Sequence, residues 1–307
     1  MTTHLWVRAE ARPNEERVGI LPEGVAALVG KGIRVTVEES RQRALPLGPY
    51  AEAGAEIVPE GAWTGAPDDA IVFGLKELPE DGTPLRHRHI MFGHAYKGQP
   101  AGRVLLDRFK AGGGALYDLE YLVDETGRRV AAFGYWAGYA GAAVSLLAWA
   151  AQSKGGLCPP VSVWANAPAL LADVQEALLS APDPRPSALV IGALGRVGRG
   201  ASDMCAAMGV PVTGWDMAET AHGGPFPEVL EHGLFFNCIL AQPGAPVFVP
   251  ADTPTRPRAL RVIGDIACDP TSDFSPIKVY DAATDWQSPV TRVHADPVLD
   301  VMAIDNL

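Results

Sequence analysis

The sequence predicts an α/β protein with two parallel, doubly wound sheets that face each other across a cleft. Short apolar runs rich in β-branched residues alternate with helical stretches in both halves of the chain, as in parallel sheets whose strands are joined by helices. The 307 residues are long enough for two domains, and an apolar content of 48% with 20% charged residues is typical of a folded protein. A cleft between two such sheets is a usual place for a small-molecule ligand.

The first predicted domain covers residues 1–133. Alternating or continuous apolar runs predict its strands, and apolar residues at helical spacing predict its helices. The predicted strands are residues 5–7, 33–37, 56–58, 70–74, 89–93 and 114–117, and the predicted helices are 23–31, 50–55 and 103–110.

The second predicted domain covers residues 134–294, and we expect residues 295–307 to return to the first domain. It begins in a stretch without charge, residues 130–153, which is long enough to span a bilayer. Because this stretch is rich in Ala, Gly, Tyr and Trp, we predict a buried helix between the domains that packs closely through Gly138 and Ala142. Further helices are predicted at 167–179 and 197–209, and strands at 188–191, 210–215, 234–237, 260–264 and 277–280.

A glycine turn follows the strand at 188–191. Gly192, Gly195 and Gly198 separate this strand from a helix, which is the order of a phosphate-binding element in a dinucleotide-binding (Rossmann) domain. Asp216 ends the next apolar run, where a carboxylate can accept the ribose hydroxyls of NAD and repel the 2′-phosphate of NADP. The spacing is Gly-x-x-Gly-x-x-Gly, so a glycine-rich turn without a ligand is the alternative. We predict NAD as the cofactor.

Charge and cysteine content exclude several classes of partner. The formal net charge of −11 disfavours nucleic acids and anionic membrane surfaces, because phosphates would be repelled over most of the surface. The four cysteines are widely spaced and form no Cys-x-x-Cys pair, which disfavours a zinc site and fits reduced thiols in the cytoplasm. The first residues contain no apolar signal core, so we expect a cytoplasmic protein of undetermined oligomeric state.

Candidate proton-transfer groups follow neighbouring strands of the first domain. Lys76 follows the strand at 70–74, and His94 follows the strand at 89–93. A desolvated lysine and a histidine near neutrality could move protons at a carbon–nitrogen bond. The alternative is structural, with Lys76 paired to Glu77 and His94 a half-buried ring.

Arg17 and Arg129 are candidate carboxylate-binding residues. A planar guanidinium binds a carboxylate in a bidentate way, which suits an amino-acid or 2-oxo-acid substrate. The alternative for each is a solvated salt bridge. We expect Arg128 to lie on the surface and Arg129 to point inward, because an apolar run follows it.

The chain resembles the NAD-dependent, lysine-forming saccharopine dehydrogenases from about residue 5 to its end. The wider superfamily of alanine dehydrogenase and the transhydrogenase NAD domain shares the architecture but not this set of motifs. The motifs that carry the resemblance are Arg8-Ala-Glu-Ala-Arg-Pro13, Gly74-Leu-Lys-Glu77, Gly93-His-Ala-Tyr-Lys97, Leu116-Tyr-Asp-Leu-Glu120, Gly127-Arg-Arg-Val-Ala-Ala-Phe133, Ile191-Gly-Ala-Leu-Gly-Arg196, Trp215-Asp216 with Glu219-Thr220, Gly223-Gly-Pro-Phe226, Phe236-Asn-Cys-Ile239 and Ile304-Asp305.

The resemblance implies the reversible conversion of saccharopine, NAD and water to L-lysine, 2-oxoglutarate and NADH, by hydride transfer and imine hydrolysis. Carried over by motif, Lys76 and His94 are the catalytic acid–base pair. The implied substrate-binding residues are Arg17, Lys97, Arg129, Phe133, Glu77 and Glu120. The implied NAD-binding residues are Gly192, Gly195, Arg196, Gly198, Asp216, Thr220, Cys238, Ile266 and Asp305.

The family pattern continues past Ile304-Asp305 into a further helix that helps to close the first domain. We therefore expect these 307 residues to be a fragment that lacks this helix, with consequences for stability and domain closure. Two other functions remain open at this point: a related amino-acid or opine-type dehydrogenase, and a non-catalytic NAD-binding module. The presence of Lys76, His94 and the arginines argues against the second of these.

Overall fold

A computed structural model describes residues 2–12, 15–76, 78–96, 100–181, 184–305 and 307, and it divides into two compact units. The first unit is Met1–Ala132 and the second is Phe133–Leu307. Each unit holds one six-stranded sheet flanked by helices, so the α/β class predicted from the alternating pattern is confirmed.

The first unit has a fully parallel sheet with the strand order β3-β2-β1-β4-β5-β6. The order reverses between β1 and β4, and ligands of such sheets bind at this reversal, beyond the carboxyl ends of the strands. The strands are β1 (His4–Val7), β2 (Arg34–Glu38), β3 (Glu56–Val58), β4 (Ile71–Phe73), β5 (Arg88–Met91) and β6 (Ala115–Asp118). The helices are α1 (Pro22–Gly30), α2 (Gly48–Glu52) and α3 (Pro100–Gly112), with short 3₁₀ turns at Ala62–Gly65 and Leu119–Tyr121.

The second unit has the strand order β11-β12-β10-β9-β7-β8, and only β11 runs antiparallel to its neighbour. The strands are β7 (Ala188–Ile191), β8 (Val212–Trp215), β9 (Leu234–Asn237), β10 (Val262–Asp265), β11 (Val290–Ala295) and β12 (Val298–Met302). The helices are α4 (Gly134–Ser153), α5 (Ala167–Leu179), α6 (Arg196–Ala207) and α7 (Met217–Thr220).

The last strand lies in the second unit, so the expectation that residues 295–307 return to the first domain is wrong. β12 forms a hairpin with β11 and a parallel ladder with β10. Leu299 and Val301 are fully buried among the apolar side chains of the second unit. The buried Asp300 accepts hydrogen bonds from Arg292 and Gln152, so the one carboxylate in the strand is paired inside the same unit.

The strand predicted at 277–280 is also wrong. Ile277 forms only one isolated bridge, with Val249, and its side chain is fully buried. Ile277 therefore packs into the core from an extended connecting segment. It lacks the continuous pairing with a neighbouring strand that defines a β-strand.

Helices α4 and α6 pack through glycines. A Cβ atom on Gly138 would overlap the carbonyl oxygen of Val197, and one on Gly200 would overlap the carbonyl oxygen of Tyr135. Gly138 is buried and Ala142 is fully buried, so the predicted buried helix with small-residue packing is confirmed. Among the described residues, no helix combines the length and hydropathy needed to cross a membrane.

Candidate active site

The carboxyl ends of β1, β4, β5 and β6 lie side by side at one edge of the first sheet. Lys76 follows β4, His94 follows β5, and Glu120 lies in the 3₁₀ turn that follows β6. Since β4 pairs with β5 and β5 pairs with β6, the expectation that Lys76 and His94 follow neighbouring strands is confirmed.

The backbone around Lys76 is held by two buried, charged side chains from the end of β1. The Glu10 carboxylate accepts hydrogen bonds from the N–H groups of Leu75 (2.7 Å) and Lys76 (3.0 Å). The Arg8 guanidinium donates to the carbonyl oxygen of Lys76 and forms a 3.3 Å ion pair with Glu10. Lys76 itself is partly buried.

The backbone around His94 is held by Asp118 at the end of β6. The two carboxylate oxygens of Asp118 accept from the N–H groups of Gly93 (3.1 Å) and Ala95 (3.2 Å), on either side of His94. Asp118 also accepts from the N–H of Glu120 at 3.0 Å. One buried carboxylate therefore fixes the loop of His94 and the turn of Glu120 together. His94 has a φ angle of 48°, a left-handed conformation that is costly for a side-chain-bearing residue and is maintained here by these bonds.

Glu120 lies between the side chains of His94 and Arg129. Its Oε2 atom is 3.8 Å from His94 Nδ1 and 3.1 Å from the guanidinium of Arg129. The Glu120 side chain is only 13% exposed, whereas that of Arg129 is 42% exposed. A carboxylate that bridges a histidine and an arginine can hold the histidine ring in orientation.

Arg129 is exposed, so the expectation that it points inward is wrong. Helix α4 begins only at Gly134, and residues 122–130 form a turn in which Val123 and Arg129 are bridged. Val130 is itself 58% exposed, so the apolar run does not draw Arg129 into the core. As expected, Arg128 lies on the surface.

Arg17 forms a bidentate ion pair with Glu15. Arg17 Nε donates to Glu15 Oε1 at 2.7 Å, and Arg17 Nη2 donates to Oε2 at 2.6 Å. Burial raises the pKa of the Glu15 carboxyl, but the hydrogen bonds and charge of Arg17, with the charge of Lys76, outweigh burial and hold this pKa below its usual value. Glu15 is therefore ionised near neutral pH, and 32% of the Arg17 side chain faces solvent.

A small cavity of about 20 Å³ opens beside Arg17. Its walls combine cationic and anionic side chains with apolar ones. Its lining includes Arg8, Glu10, Glu15, Arg17, Arg43, Tyr50 and Phe73.

The remaining predicted substrate residues are Phe133, Glu77 and Lys97. Phe133 is partly buried and is the N-cap residue directly before α4, at the first position of the second unit. Glu77 and Lys97 lie outside the described residues.

In the second unit, the glycine turn joins β7 to α6 as predicted. Gly192 has a φ angle of 89°, and a Cβ atom there would lie 2.9 Å from the carbonyl oxygen of Cys238. A Cβ on Gly198 would overlap the carbonyl oxygen of Gly192. These two glycines therefore serve the packing of the turn itself. Gly195, the N-cap of α6, is exposed, so it is the glycine that leaves the backbone open to a ligand.

Asp216 follows β8 and is linked to the glycine turn. Its Oδ2 atom accepts from the N–H of Leu194 at 3.1 Å, and its Oδ1 atom accepts from the N–H of Met217 at 2.9 Å. Asp216 thus caps α7 while it remains partly exposed beside the turn. Thr220 is the last residue of this short helix, and its hydroxyl donates to the carbonyl oxygen of Asp216 at 2.9 Å.

The other predicted cofactor residues lie at the same edge of the second sheet. Cys238 follows β9, Ile266 follows β10, and Asp305 follows β12, three strands that run parallel. Burial raises the pKa of the Cys238 thiol, so it is neutral near pH 7. Arg196 is the first residue of α6.

This arrangement fits a dinucleotide. The first N–H groups of α6 have no partner within the helix and carry the positive end of its dipole, which suits a pyrophosphate beside Gly195. The Asp216 carboxylate, at the end of the adjacent strand, suits a ribose. The residues present therefore match the chemistry of NAD.

Residues missed by the sequence analysis are Arg8, Glu10 and Asp118. Two of them lie in the motif Arg8-Ala-Glu-Ala-Arg-Pro13, which carried the resemblance without an assigned role. Asp118 ends a strand, and a carboxylate at a strand end could have been weighed as a partner for nearby N–H groups.

Together, the two sheets and their strand-end residues define an α/β protein with a Rossmann-type nucleotide-binding unit. The family model described as "Alanine dehydrogenase/PNT, N-terminal domain" matches residues 6–140. Among solved structures, an L-alanine dehydrogenase has a TM-score of 0.61 at 18% identity and covers 98% of this chain and 82% of its own. A transhydrogenase from Sinorhizobium meliloti has a TM-score of 0.61 at 17% identity, and 98% and 86% of the two chains are covered.

Curated relatives extend over almost the whole chain. The "Saccharopine dehydrogenase [NAD(+), L-lysine-forming]" of Schizosaccharomyces pombe is 43% identical, and the likeness covers 99% of this chain and 86% of the relative. The protein of the same name from Candida glabrata is also 43% identical, with 100% and 86% covered. The chain belongs to the NAD-dependent, lysine-forming saccharopine dehydrogenase family.

Proposed function

We propose that this protein oxidises saccharopine with NAD and water to L-lysine, 2-oxoglutarate and NADH, in a reversible reaction. The observation that carries the proposal is the placement of Lys76 and His94 at neighbouring strand ends in a chain related over nearly its full length to enzymes of this name. Carboxylates from the ends of the adjacent strands, Glu10 after β1 and Asp118 in β6, hold the backbone at both places.

NAD supplies the acceptor for the hydride that leaves the substrate carbon. Gly195, Arg196 and the start of α6 would bind its pyrophosphate, and Asp216 would accept hydrogen bonds from its adenosine ribose. The remaining residues proposed to contact it are Thr220, Cys238, Ile266 and Asp305. Gly192 and Gly198 are proposed to contribute to the cofactor site by shaping the glycine turn.

Lys76 takes the proton from the secondary amine of saccharopine as the hydride leaves the carbon. His94 then removes a proton from the water that attacks the substrate imine and gives this proton to the nitrogen of the resulting carbinolamine. As the carbon–nitrogen bond breaks and the carbon–oxygen double bond forms, His94 takes up the hydroxyl proton. Glu120, whose Oε2 atom is 3.8 Å from His94 Nδ1, holds the ring in orientation through these steps. The products are the amine of lysine and the keto group of 2-oxoglutarate.

Saccharopine carries several carboxylates, so it needs several cations. Arg17 and Arg129 are partly exposed guanidiniums, and Lys97 is the third proposed group. Glu77, Glu120 and Phe133 complete the proposed substrate set. Both arginines already contact carboxylates, Glu15 and Glu120, which keep them oriented and balance their charge before substrate binds.

The net charge of the protein bears on which partners it can bind. With a net charge of −11, the protein is proposed to act in the cytoplasm on amino-acid and 2-oxo-acid substrates, without nucleic-acid or membrane partners.

The direct test is NADH oxidation by the purified protein. We expect turnover with lysine plus 2-oxoglutarate and none with pyruvate plus ammonia. The reverse preference would identify an alanine-dehydrogenase-like enzyme, and turnover with neither pair but tight binding of NAD would identify a binding module.

The proposed acid–base pair predicts a bell-shaped dependence of rate on pH, because one group must begin deprotonated and the other protonated. Lys76→Met should remove one limb and His94→Gln the other, each with a loss of roughly 10²–10⁴ in turnover. The affinity for NAD, measured by fluorescence titration, should not change. A single variant with normal turnover and an unaltered profile would assign its residue a structural role.

A further inference from the structure

The motif at the end of β1 contains an ion pair that the reaction above does not use. The side chains of Arg8 and Glu10 are only 1% and 9% exposed. Removing two charges from water is costly, and a buried ion pair is often no more stabilising than apolar residues of the same size. A contribution to stability alone therefore does not explain why this ion pair is buried.

We propose that Glu10, braced by Arg8, is a positioning residue for Lys76. This inference rests on the proposed function, since it takes Lys76 as the group that accepts the substrate proton. The pair holds the peptide units on both sides of the Lys76 Cα atom. Glu10 Oε1 and Oε2 accept from the N–H groups of Leu75 and Lys76, and Arg8 Nη2 donates to the Lys76 carbonyl.

We call Arg8 and Glu10 together the clamp. Lys76 needs this clamp because it lies three residues beyond the end of β4. The ladder between β4 and β5 ends at Phe73, and beyond it the Phe92 N–H donates to the Leu75 carbonyl oxygen at 2.9 Å. Arg8 and Glu10 therefore bind the chain at the point where the pairing with β5 gives out. A long side chain with four rotatable bonds reaches a defined point only if its backbone is fixed. Misplacing a reacting group by about 1 Å can cost roughly 10²-fold in rate.

Gly74 makes room for the clamp. A Cβ atom at position 74 would overlap the guanidinium of Arg8, so only glycine leaves room for the clamp to reach Lys76. Ala9, between the two clamp residues, donates its N–H to the fully buried Glu38 at 2.9 Å. The clamp is thus anchored to β2 as well as to β1.

The test compares Glu10→Gln with the wild type in two independent measurements. The first is hydrogen exchange at the backbone N–H groups of Leu75 and Lys76, followed by NMR. An amide offers one acceptor oxygen where the carboxylate offers two, so we expect exchange at these groups to accelerate about tenfold or more, without a matching change elsewhere. The second is steady-state kinetics, in which we expect kcat to fall about 10²-fold, the Lys76 limb of the pH profile to shift, and KM for NAD to stay the same.

A control variant, Thr36→Val, separates positioning from general stability. It breaks the buried 2.8 Å hydrogen bond between Thr36 and His4 in the same sheet, away from the clamp. It should lower the midpoint of urea unfolding while kcat, the pH profile and exchange at Leu75 and Lys76 stay as in the wild type. If Glu10→Gln is too unstable to measure, Gly74→Ala displaces the Arg8 guanidinium without removing a charge, and it should lower kcat in the same way.

The proposal is overturned if Glu10→Gln, or Gly74→Ala in its place, keeps the wild-type kcat and pH profile, or if exchange at Leu75 and Lys76 is unchanged. If the wild-type protein does not turn over saccharopine at all, the proposed function fails. The exchange measurement then still decides whether Glu10 holds the backbone of Lys76.

Discussion

At the scale of single residues, the site depends on carboxylates that bind backbone rather than substrate. Glu10 serves Lys76 and Asp118 serves His94, each across a boundary between neighbouring strands. Asp216 does the same in the second unit, where it joins the glycine turn to the start of α7. Carboxylate side chains thus have structural as well as proposed chemical roles in this protein. Only the contacts of each carboxylate show which role it has.

Asp216 gives a prediction about cofactor choice. Asp216→Ser removes the charge that is proposed to repel a 2′-phosphate, and serine can still cap α7. We expect the preference for NAD over NADP, as a ratio of kcat/KM values, to fall about 10- to 100-fold, which corresponds to roughly 1.4–2.8 kcal/mol. A lysine or arginine added nearby should lower it further.

Asp216→Ala is the matched variant, because it removes both the charge and the cap. It should show the same change in cofactor preference and, in addition, a loss of about 1 kcal/mol in the free energy of unfolding. Equal use of NAD and NADP by the wild-type protein would contradict the assignment of Asp216 to the ribose.

At the scale of elements, the close approach of α4 and α6 supports the glycine turn. α6 begins at that turn, and α4 reaches its backbone through Gly138 and Gly200, where side chains would overlap carbonyl oxygens of the facing helix. The position of the N–H groups proposed to bind the cofactor is therefore set partly by α4, a helix that carries no proposed NAD contact.

Gly138→Ala should force the two helices apart. We expect a loss of about 1–3 kcal/mol in the free energy of unfolding, because overpacking strains a well-packed contact, together with weaker binding of NAD. Urea unfolding and a fluorescence titration measure the two effects. Gly30→Ala is the control, since a Cβ atom there has nothing within 4 Å and helix α1 accepts alanine. It should be neutral or stabilising by up to about 1 kcal/mol, and an equal loss in both variants would contradict this account of the packing.

At the scale of the whole molecule, stability depends on pH through a buried histidine. His89 in β5 is 1% exposed and lies edge-on to the rings of Trp63 and Phe109. Its Nε2 atom has no hydrogen-bond partner among the described residues. Burial, with the charge of Arg8, lowers the pKa of His89 to about 3.

Because the folded pKa of about 3 lies below the unfolded value of 6.5, the unfolded chain binds the proton more readily. The free energy of unfolding should therefore fall as the pH drops below about 6.5, by up to about 1.4 kcal/mol per pH unit until the pH nears 3.

His89→Phe should abolish this contribution and be at least as stable as the wild type at pH 7, since it removes a buried polar atom without a partner. Urea unfolding of both proteins at pH 7, 6 and 5 isolates His89 as the difference between the two curves. An identical fall in both proteins would show that His89 titrates normally or is not buried.

The sequence by itself determined the α/β class, most strand and helix positions, the glycine turn, and the strand-end places of Lys76 and His94. These follow from local patterns, because apolar periodicity and glycine act over a few neighbouring residues. Only the tertiary structure decided that β12 belongs to the second sheet, that Arg129 is exposed, and that Glu10 and Asp118 hold the backbone of the proposed catalytic residues. Each of these depends on contacts between residues far apart in the chain. Glu10 and Lys76 are 66 positions apart, and the chain between them carries no local signal that the two will meet at adjacent strand ends.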